Sequence, residues 1–186
     1  MPNLDETNAP HHYNALCWIL TKDELVHEYE ICDGSLLQRF IIVLLFFQSE
    51  NLRLLFNSHE LHRKHTCEWD GIMCDNNGKF VNHLHFTNRN LIGTVSTEIG
   101  LLTTLHTIDL SNNVLTGTIN MDIYNILPNL THLDLSANEF EGDIPTKLLE
   151  KQTLQTLILK KNRLVGSLSN EIIYPEHLGK PSLSIL

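Results

Sequence analysis

The chain has 186 residues, of which 42% are hydrophobic and 7% aromatic, so it can form one domain with a mainly aliphatic core. Its 13 basic and 22 acidic residues give a formal net charge of −9. This balance argues against nucleic acid or an anionic membrane as the principal partner. The sequence contains no phosphate-binding loop, no serine-hydrolase motif and no kinase motif set, so we do not expect an enzyme or catalytic residues.

Residues 1–66 are predicted to form a helical N-terminal region. The segment Thr21-Lys-Asp-Glu24 fits a capping box and predicts the start of one helix, and a second helix is expected from Ser35 to about Gln48. The apolar run from Phe40 to Phe47 is far shorter than the ~20 residues of a spanning helix. We therefore expect a buried helix and no membrane segment in this chain. The N-terminus shows no secretory signal.

Residues 67–80 combine two cysteines, a tryptophan and a turn. The segment Cys67-Glu-Trp69-Asp-Gly71-Ile-Met-Cys74 fits the pattern C-x-W-x-G-[IV]-x-C, and the turn sequence Asp75-Asn-Asn-Gly78 follows it. This region resembles the N-terminal cap of plant-type leucine-rich repeat proteins, which covers the open end of the first coil. The resemblance implies a disulfide between Cys67 and Cys74, and such a bond requires an oxidising compartment.

A metal site is the alternative for the two cap cysteines. Two thiolates separated by six residues lack the two further ligands of a structural zinc site, so we expect the disulfide, no metal ion and no cofactor. Cys17 and Cys32 stay open between a mutual disulfide and two buried thiols, because free cysteine often behaves as a small apolar residue.

Four units with a period of 24 or 25 residues occupy positions 81–172. Each opens with alternating inward residues typical of a short strand, and a period of this length is typical of a solenoid. The unit from Leu130 to Pro145 fits L-x-x-L-x-L-x-x-N-x-L-x-G-x-I-P almost completely and resembles the plant-type leucine-rich repeat. The resemblance implies an α/β solenoid, namely a right-handed superhelix with short parallel strands on its concave side and a helical N-terminal cap.

A polar column and a glycine column recur through the units. The polar column consists of Arg89, Asn113, Asn138 and Asn162. The glycine column consists of Gly93, Gly117, Gly142 and Gly166. The carboxamides are predicted to bond backbone groups that the turn leaves without partners, whereas Arg89 either points outward or is replaced in this role by Asn88 or Asn90. The glycines are predicted to need positive φ or the space that a Cβ would fill.

The outward side chains of the predicted strands form the candidate binding surface, because neighbouring strands bring equivalent positions to about 4.8 Å. The first column is His83, Thr107, His132 and Thr156; the second is His85, Asp109, Asp134 and Ile158; the third is Thr87, Ser111, Ser136 and Lys160. Asn82, His106, Thr131 and Gln155 are expected at the edge. The histidines suit either a metal- or pH-responsive cluster or an ordinary solvated face, and we expect the solvated face.

The resemblance implies a non-enzymatic recognition module that binds a protein, peptide or glycan on its concave face as part of a receptor-like cell-surface protein. An intracellular leucine-rich repeat scaffold and a fragment of a receptor kinase lacking its catalytic domain stay open as alternatives. An extracellular or cell-surface location is expected if the chain belongs to a longer product, and a cytoplasmic one is the alternative because no signal is recognised.

Two further features concern the ends and the modification of the chain. Asn129 begins the N-x-[ST] sequon Asn129-Leu-Thr131 and is a candidate glycosylation site in an exported protein. Residues 173–186 are expected to open an incomplete fifth unit or to fold back as a C-terminal cover, because the end of a solenoid needs covering. Nothing in the sequence indicates the oligomeric state.

Overall fold

The structure is a computed structural model, and it describes residues 34–47, 63–120, 126–144, 148 and 151–166. Several predictions lie outside these residues, namely the helix start at Thr21, the pairing of Cys17 and Cys32, and the segment 173–186. The domain limits proposed from the sequence therefore stay predictions.

Helix α1 spans Ser35–Phe47, as expected from the apolar run in this part of the sequence. The strands are β1 Ile72–Cys74, β2 Val81–His85, β3 Ile92–Gly93, β4 Thr107–Asp109, β5 Val114–Thr118, β6 His132–Asp134, β7 Glu139–Asp143, β8 Thr156–Ile158 and β9 Arg163–Val165. Among the described residues, 3-10 helices span Thr66–Glu68 and Thr97–Leu101. Within the described ranges, no helix has the length and apolar character needed to cross a membrane.

The strands form two sheets that run along the molecule. The concave sheet has the order β1-β2-β4-β6-β8, and a second, lateral sheet has the order β3-β5-β7-β9. Strand β1 is antiparallel to β2, and every other neighbouring pair is parallel. Each repeat thus supplies one strand to the concave sheet and then one to the lateral sheet. This arrangement confirms the predicted α/β solenoid of leucine-rich repeat type.

The core is a ladder of aliphatic side chains between the sheets and the returning segments. Leu84, Ile108, Leu133 and Leu157 are in register on four successive strands and are all buried. Full burial of one such side chain contributes about 1.5–3 kcal/mol. Because each rung contacts the rungs before and after it, the stacking of the coils rather than any single coil stabilises the fold.

The asparagine column bonds the backbone of neighbouring coils, as predicted. Asn113 Oδ1 accepts hydrogen bonds from the amides of Arg89 and Leu91, both at 3.0 Å. Asn113 Nδ2 donates to the carbonyls of Phe86 and Leu110, both at 2.8 Å. The same carboxamide therefore satisfies backbone groups of its own coil and of the coil before it, which a shorter polar side chain could not reach.

The first coil has Arg89 at the position that asparagine occupies in the later coils. Arg89 points outward and pairs with Asp70 of the cap, which confirms the first of the two alternatives. The flanking Asn88 and Asn90 adopt positive φ, 56° and 53°, a conformation that asparagine tolerates better than most residues. The glycine column is also confirmed, since all four glycines have φ between 83° and 101°.

The N-terminal cap closes the open end of the concave sheet. The predicted disulfide joins Cys67 to Cys74, with 5.5 Å between the Cα atoms, and confirms this part of the cap pattern. Gln38 of α1 accepts a hydrogen bond at 2.8 Å from the amide of Val81, the first residue of β2. Trp69 is buried beneath the helix. Helix α1, the disulfide loop and the tryptophan thus form one cover over the first coil.

Candidate recognition surface

The first two predicted columns are in register across the concave sheet. Strand pairing aligns His83 with Thr107, His132 and Thr156. It aligns His85 with Asp109, Asp134 and Ile158 in the same way. These side chains are partly or fully exposed, whereas the residues between them on each strand are buried. The concave sheet therefore presents two adjacent rows of solvent-accessible and mainly polar groups.

The third predicted column is not a continuous exposed row. Thr87 and Lys160 are exposed, but Ser111 and Ser136 are only 5% and 6% exposed. The cause is local hydrogen bonding at the strand ends. Both serines are buried, and the Ser111 hydroxyl bonds the carboxylate of Asp109, so the expectation that the two serines face a ligand needs correction.

The aspartates of the second column hold the turn that follows each strand. Asp109 Oδ1 accepts hydrogen bonds from the amide of Ser111 at 3.0 Å and from its hydroxyl at 2.7 Å. Asp134 Oδ1 accepts from the amide of Ser136 at 2.8 Å. One oxygen of each carboxylate is thus hydrogen-bonded to the backbone. The aspartates therefore have a structural role in addition to any contact with a ligand.

Four histidines lie near one another toward the N-terminal end of the concave sheet and are called the histidine cluster below. They are His83, His85, His106 and His132. The ring of His83 stacks on His85 with centroids 6.0 Å apart and lies 6.1 Å from the ring of His106. Burial lowers the pKa of His83 below its ordinary value, and positive charge on the other three rings lowers this pKa further. The cluster thus disfavours protonation of His83 in the free protein.

The repeat pattern predicts His106 only at the edge of the surface and does not predict Met73 on it. Met73 lies on β1 directly opposite His83 and is 54% exposed, so it extends the first column by one strand. The turn sequence Asn77-Gly78 between two apolar segments is a hairpin signal that points to this additional strand. Side-chain packing, not periodicity, brings His106 to His83.

The described residues contain no group of three or more histidine, cysteine, aspartate or glutamate side chains that could hold a metal ion. At the far end of the surface, Ile158 is half-buried and Lys160 and Lys161 are exposed. Asn129 is exposed outside both sheets, and its Nδ2 donates to the carbonyl of Thr103 at 3.1 Å. Glycosylation of Asn129 stays a prediction.

Comparison with known proteins agrees with this geometry. The Leucine Rich Repeat family model matches residues 104–126 and 129–149. Phytosulfokine receptor 1 of Arabidopsis thaliana is 40% identical over 83 residues, which are 44% of this chain and 8% of that protein. The crystal structure of the ectodomain of the Arabidopsis thaliana receptor kinase SOBIR1 has a TM-score of 0.57 and 30% identity, covering 73% of this chain and 71% of that one.

A further solved structure contains a bound ligand. It is the ectodomain of the Arabidopsis receptor kinase HAESA in complex with an N-terminally extended IDA peptide hormone, with a TM-score of 0.61 and 28% identity. The match covers 70% of this chain and 22% of that one. The chain therefore spans a small part of several of the proteins that it resembles.

The repeat units, the capped solenoid and these similarities together define a leucine-rich repeat ectodomain of the plant receptor type. The chain belongs to this family. The SOBIR1 and HAESA structures are receptor ectodomains, which are non-catalytic and extracellular, and the match does not extend to a kinase domain.

Proposed function

We propose that this chain is a receptor-like recognition module that binds a peptide or a partner protein on its concave sheet. The observation that carries the proposal is the pair of in-register, solvent-accessible rows along β2, β4, β6 and β8. A related ectodomain, that of HAESA, is known in complex with a peptide hormone ligand. An extended chain lying across parallel strands would contact the same row position on each repeat in turn.

The candidate contacts are the members of the two rows together with Thr87 and Lys160. We leave Ser111 and Ser136 out of the proposed site because they are buried. The aspartates offer one uncommitted carboxylate oxygen each, the histidines offer ring nitrogens, and Lys160 offers a cation at the far end. This variety of donors and acceptors suits a ligand with several different polar groups.

We also propose that the module works outside the cell, as part of a longer cell-surface protein. The Cys67–Cys74 disulfide supports this location, because such bonds persist in oxidising compartments. The relatives are receptor proteins, and they give no support to the intracellular scaffold. Exposed Asn129 is then open to glycosylation.

Selection from a random peptide display library on the secreted protein tests the function. The double variant Thr107→Trp/Thr156→Trp places two bulky, uncharged side chains on the first row and is expected to weaken binding of the selected peptides by at least about tenfold, a cost of ~1.4 kcal/mol. Thr97→Trp, on the 3-10 helix outside both sheets, is the control and should bind like the parent. Equal losses in both variants, or no selectable peptide and no captured partner ectodomain, would contradict the proposal.

A further inference from the structure

We propose that the histidine cluster is the binding site for an acidic stretch of a peptide ligand, and that the cluster binds this stretch in its protonated form. The inference rests on the proposed function of the concave sheet and adds to it the charge of the ligand and a dependence on pH. It assigns the N-terminal end of the surface to carboxylate side chains of the ligand.

Hydrogen bonds fix which ring nitrogens take up the protons. His106 Nδ1 lies 2.8 Å from the carbonyl oxygen of Thr104, which can only accept, so His106 is protonated at Nδ1. Thr131 donates its hydroxyl hydrogen to the carbonyl of His106 at 3.0 Å, and its oxygen lies 2.8 Å from His132 Nδ1. The hydroxyl has one hydrogen, and when that hydrogen lies on the His106 carbonyl, His132 donates from Nδ1 to the Thr131 oxygen.

When both rings donate from Nδ1, Nε2 is the nitrogen whose lone pair stays available. Each protonation adds one N–H donor and one positive charge to a ring whose orientation a hydrogen bond at Nδ1 already holds. Donors that are held in place before binding lose little conformational entropy when a carboxylate arrives. The cluster therefore becomes an ordered set of cationic donors at acidic pH.

The groups around the cluster leave one side open to an anion. Met73 on β1 and Thr107 on β4 are uncharged neighbours of His83. The charged neighbours are Asp109 on β4, opposite His85, and Asp134 on β6. No carboxylate of the described residues is paired with a ring of the cluster. The carboxylates thus lie toward His85, and the acidic stretch fits the side formed by His83, His106 and His132.

Mutual repulsion gives the cluster its pH response. In the free protein, burial and the charges of the other three rings hold the pKa of His83 below its ordinary value. A bound carboxylate cancels part of this repulsion and so raises the pKa, which means that binding is linked to proton uptake. Affinity is therefore expected to rise as the pH falls.

The net charge of the whole chain also becomes more positive as the pH falls. The formal charge is −9 with neutral histidines, and protonation of all 11 histidines adds +11 to reach +2. A long-range field that repels an acidic peptide at neutral pH would then no longer do so under acid conditions. The local site and the overall charge favour the same ligand over the same pH range.

Calorimetric titration with a hexa-aspartate peptide tests the inference, because aspartate stays ionised at about pH 5. The parent protein is expected to bind this probe about tenfold more tightly at about pH 5 than at about pH 7.5, as follows from a ligand-induced rise of about one pKa unit. The variant His83→Asn/His106→Asn keeps a side-chain N–H near the Nδ1 positions and is expected to lose this ratio, that is, to bind the peptide equally tightly at both pH values. Lys79→Gln removes a cation from the cap turn and is expected to keep it.

A second measurement, made on the parent protein, keeps the inference testable even if the double variant does not fold. In the parent, the pKa of His83 measured by NMR should rise when hexa-aspartate is added. Equal affinity at both pH values, an unchanged His83 pKa or a pH ratio that survives in a folded double variant would each overturn the inference. Selected peptides without acidic residues that still require Thr107 and Thr156 would overturn this inference and leave the proposed function intact.

Discussion

At the scale of single residues, Gly117 shows how the repeat period reflects a steric requirement. Its φ is +83°, and a Cβ built at this position would lie 3.0 Å from Cγ2 of Thr94 in the preceding coil. Gly166 shares the positive φ, at +101°, but a Cβ there would meet no atom within 4 Å among the described residues. The backbone conformation explains the glycine at both positions, and close packing against Thr94 adds a second reason at Gly117.

These two glycines allow the free-energy cost of the backbone conformation and that of the contact with Thr94 to be measured separately. Gly117→Ala is expected to lower the free energy of unfolding by about 2–3 kcal/mol, because it combines left-handed backbone strain with the contact to Thr94. Gly166→Ala is expected to cost only the strain, about 1–2 kcal/mol. Urea titrations of both variants measure the difference. A Gly117→Ala protein as stable as Gly166→Ala would show that Thr94 moves aside freely.

At the scale of elements, a buried arginine joins helix α1 to the cap. Arg39 is 0% exposed, and its guanidinium carbon lies 4.4 Å from the ring centroid of Trp69. Its Nη1 donates to the carbonyl of Lys64 at 3.1 Å and to the hydroxyl of Thr66 at 3.2 Å. The helix therefore packs on the cap through aliphatic side chains and a charged group that also bonds the cap backbone.

Removal of this side chain should loosen the whole cover. Arg39→Ala is expected to cost about 3–5 kcal/mol, because it opens a cavity and leaves cap acceptors without their donor. Leu37→Ala, on the exposed side of the same helix at 46% exposure, is the control and should cost less than about 1 kcal/mol. Thermal melts measure both effects. Hydrogen exchange at the Val81 amide, which donates a hydrogen bond to Oε1 of Gln38, reports whether α1 has detached.

At the scale of the whole molecule, the histidine cluster links stability to pH. The pKa of His83 is lowered in the folded protein, so the unfolded chain takes up this proton at a higher pH than the folded chain does. Stability from this group is fully present above the unfolded pKa of about 6.5 and is lost as the pH falls through the lower folded pKa. Acid thus favours ligand binding by the cluster and opposes folding of the free protein.

Replacement of the ring should remove this part of the pH dependence. We expect the fall in melting temperature between about pH 7.5 and about pH 5 to be smaller in His83→Asn than in the parent, because asparagine does not titrate in this range. Calorimetric melts across the range measure the slope. A variant with the same slope as the parent, or a steeper one, would contradict the assignment of the shift to His83.

The sequence alone determined the features that repeat or that depend on local backbone chemistry. The period of 24 or 25 residues, the carboxamide of Asn113 and the positive φ of Gly117 are each readable from spacing and residue type, because every coil meets the same local requirement. The cap disulfide followed from the resemblance of residues 67–74 to the family's cap pattern, and the structure confirms the Cys67–Cys74 bond.

Only the tertiary structure decided which side chains meet at the surface. It brought His106 to His83, added Met73 to the first row and turned Ser111 away from solvent. These outcomes depend on strand register, on the additional antiparallel strand of the cap and on competition between hydrogen-bond partners at strand ends. Such contacts join residues from different coils, and no periodic pattern within one coil specifies them.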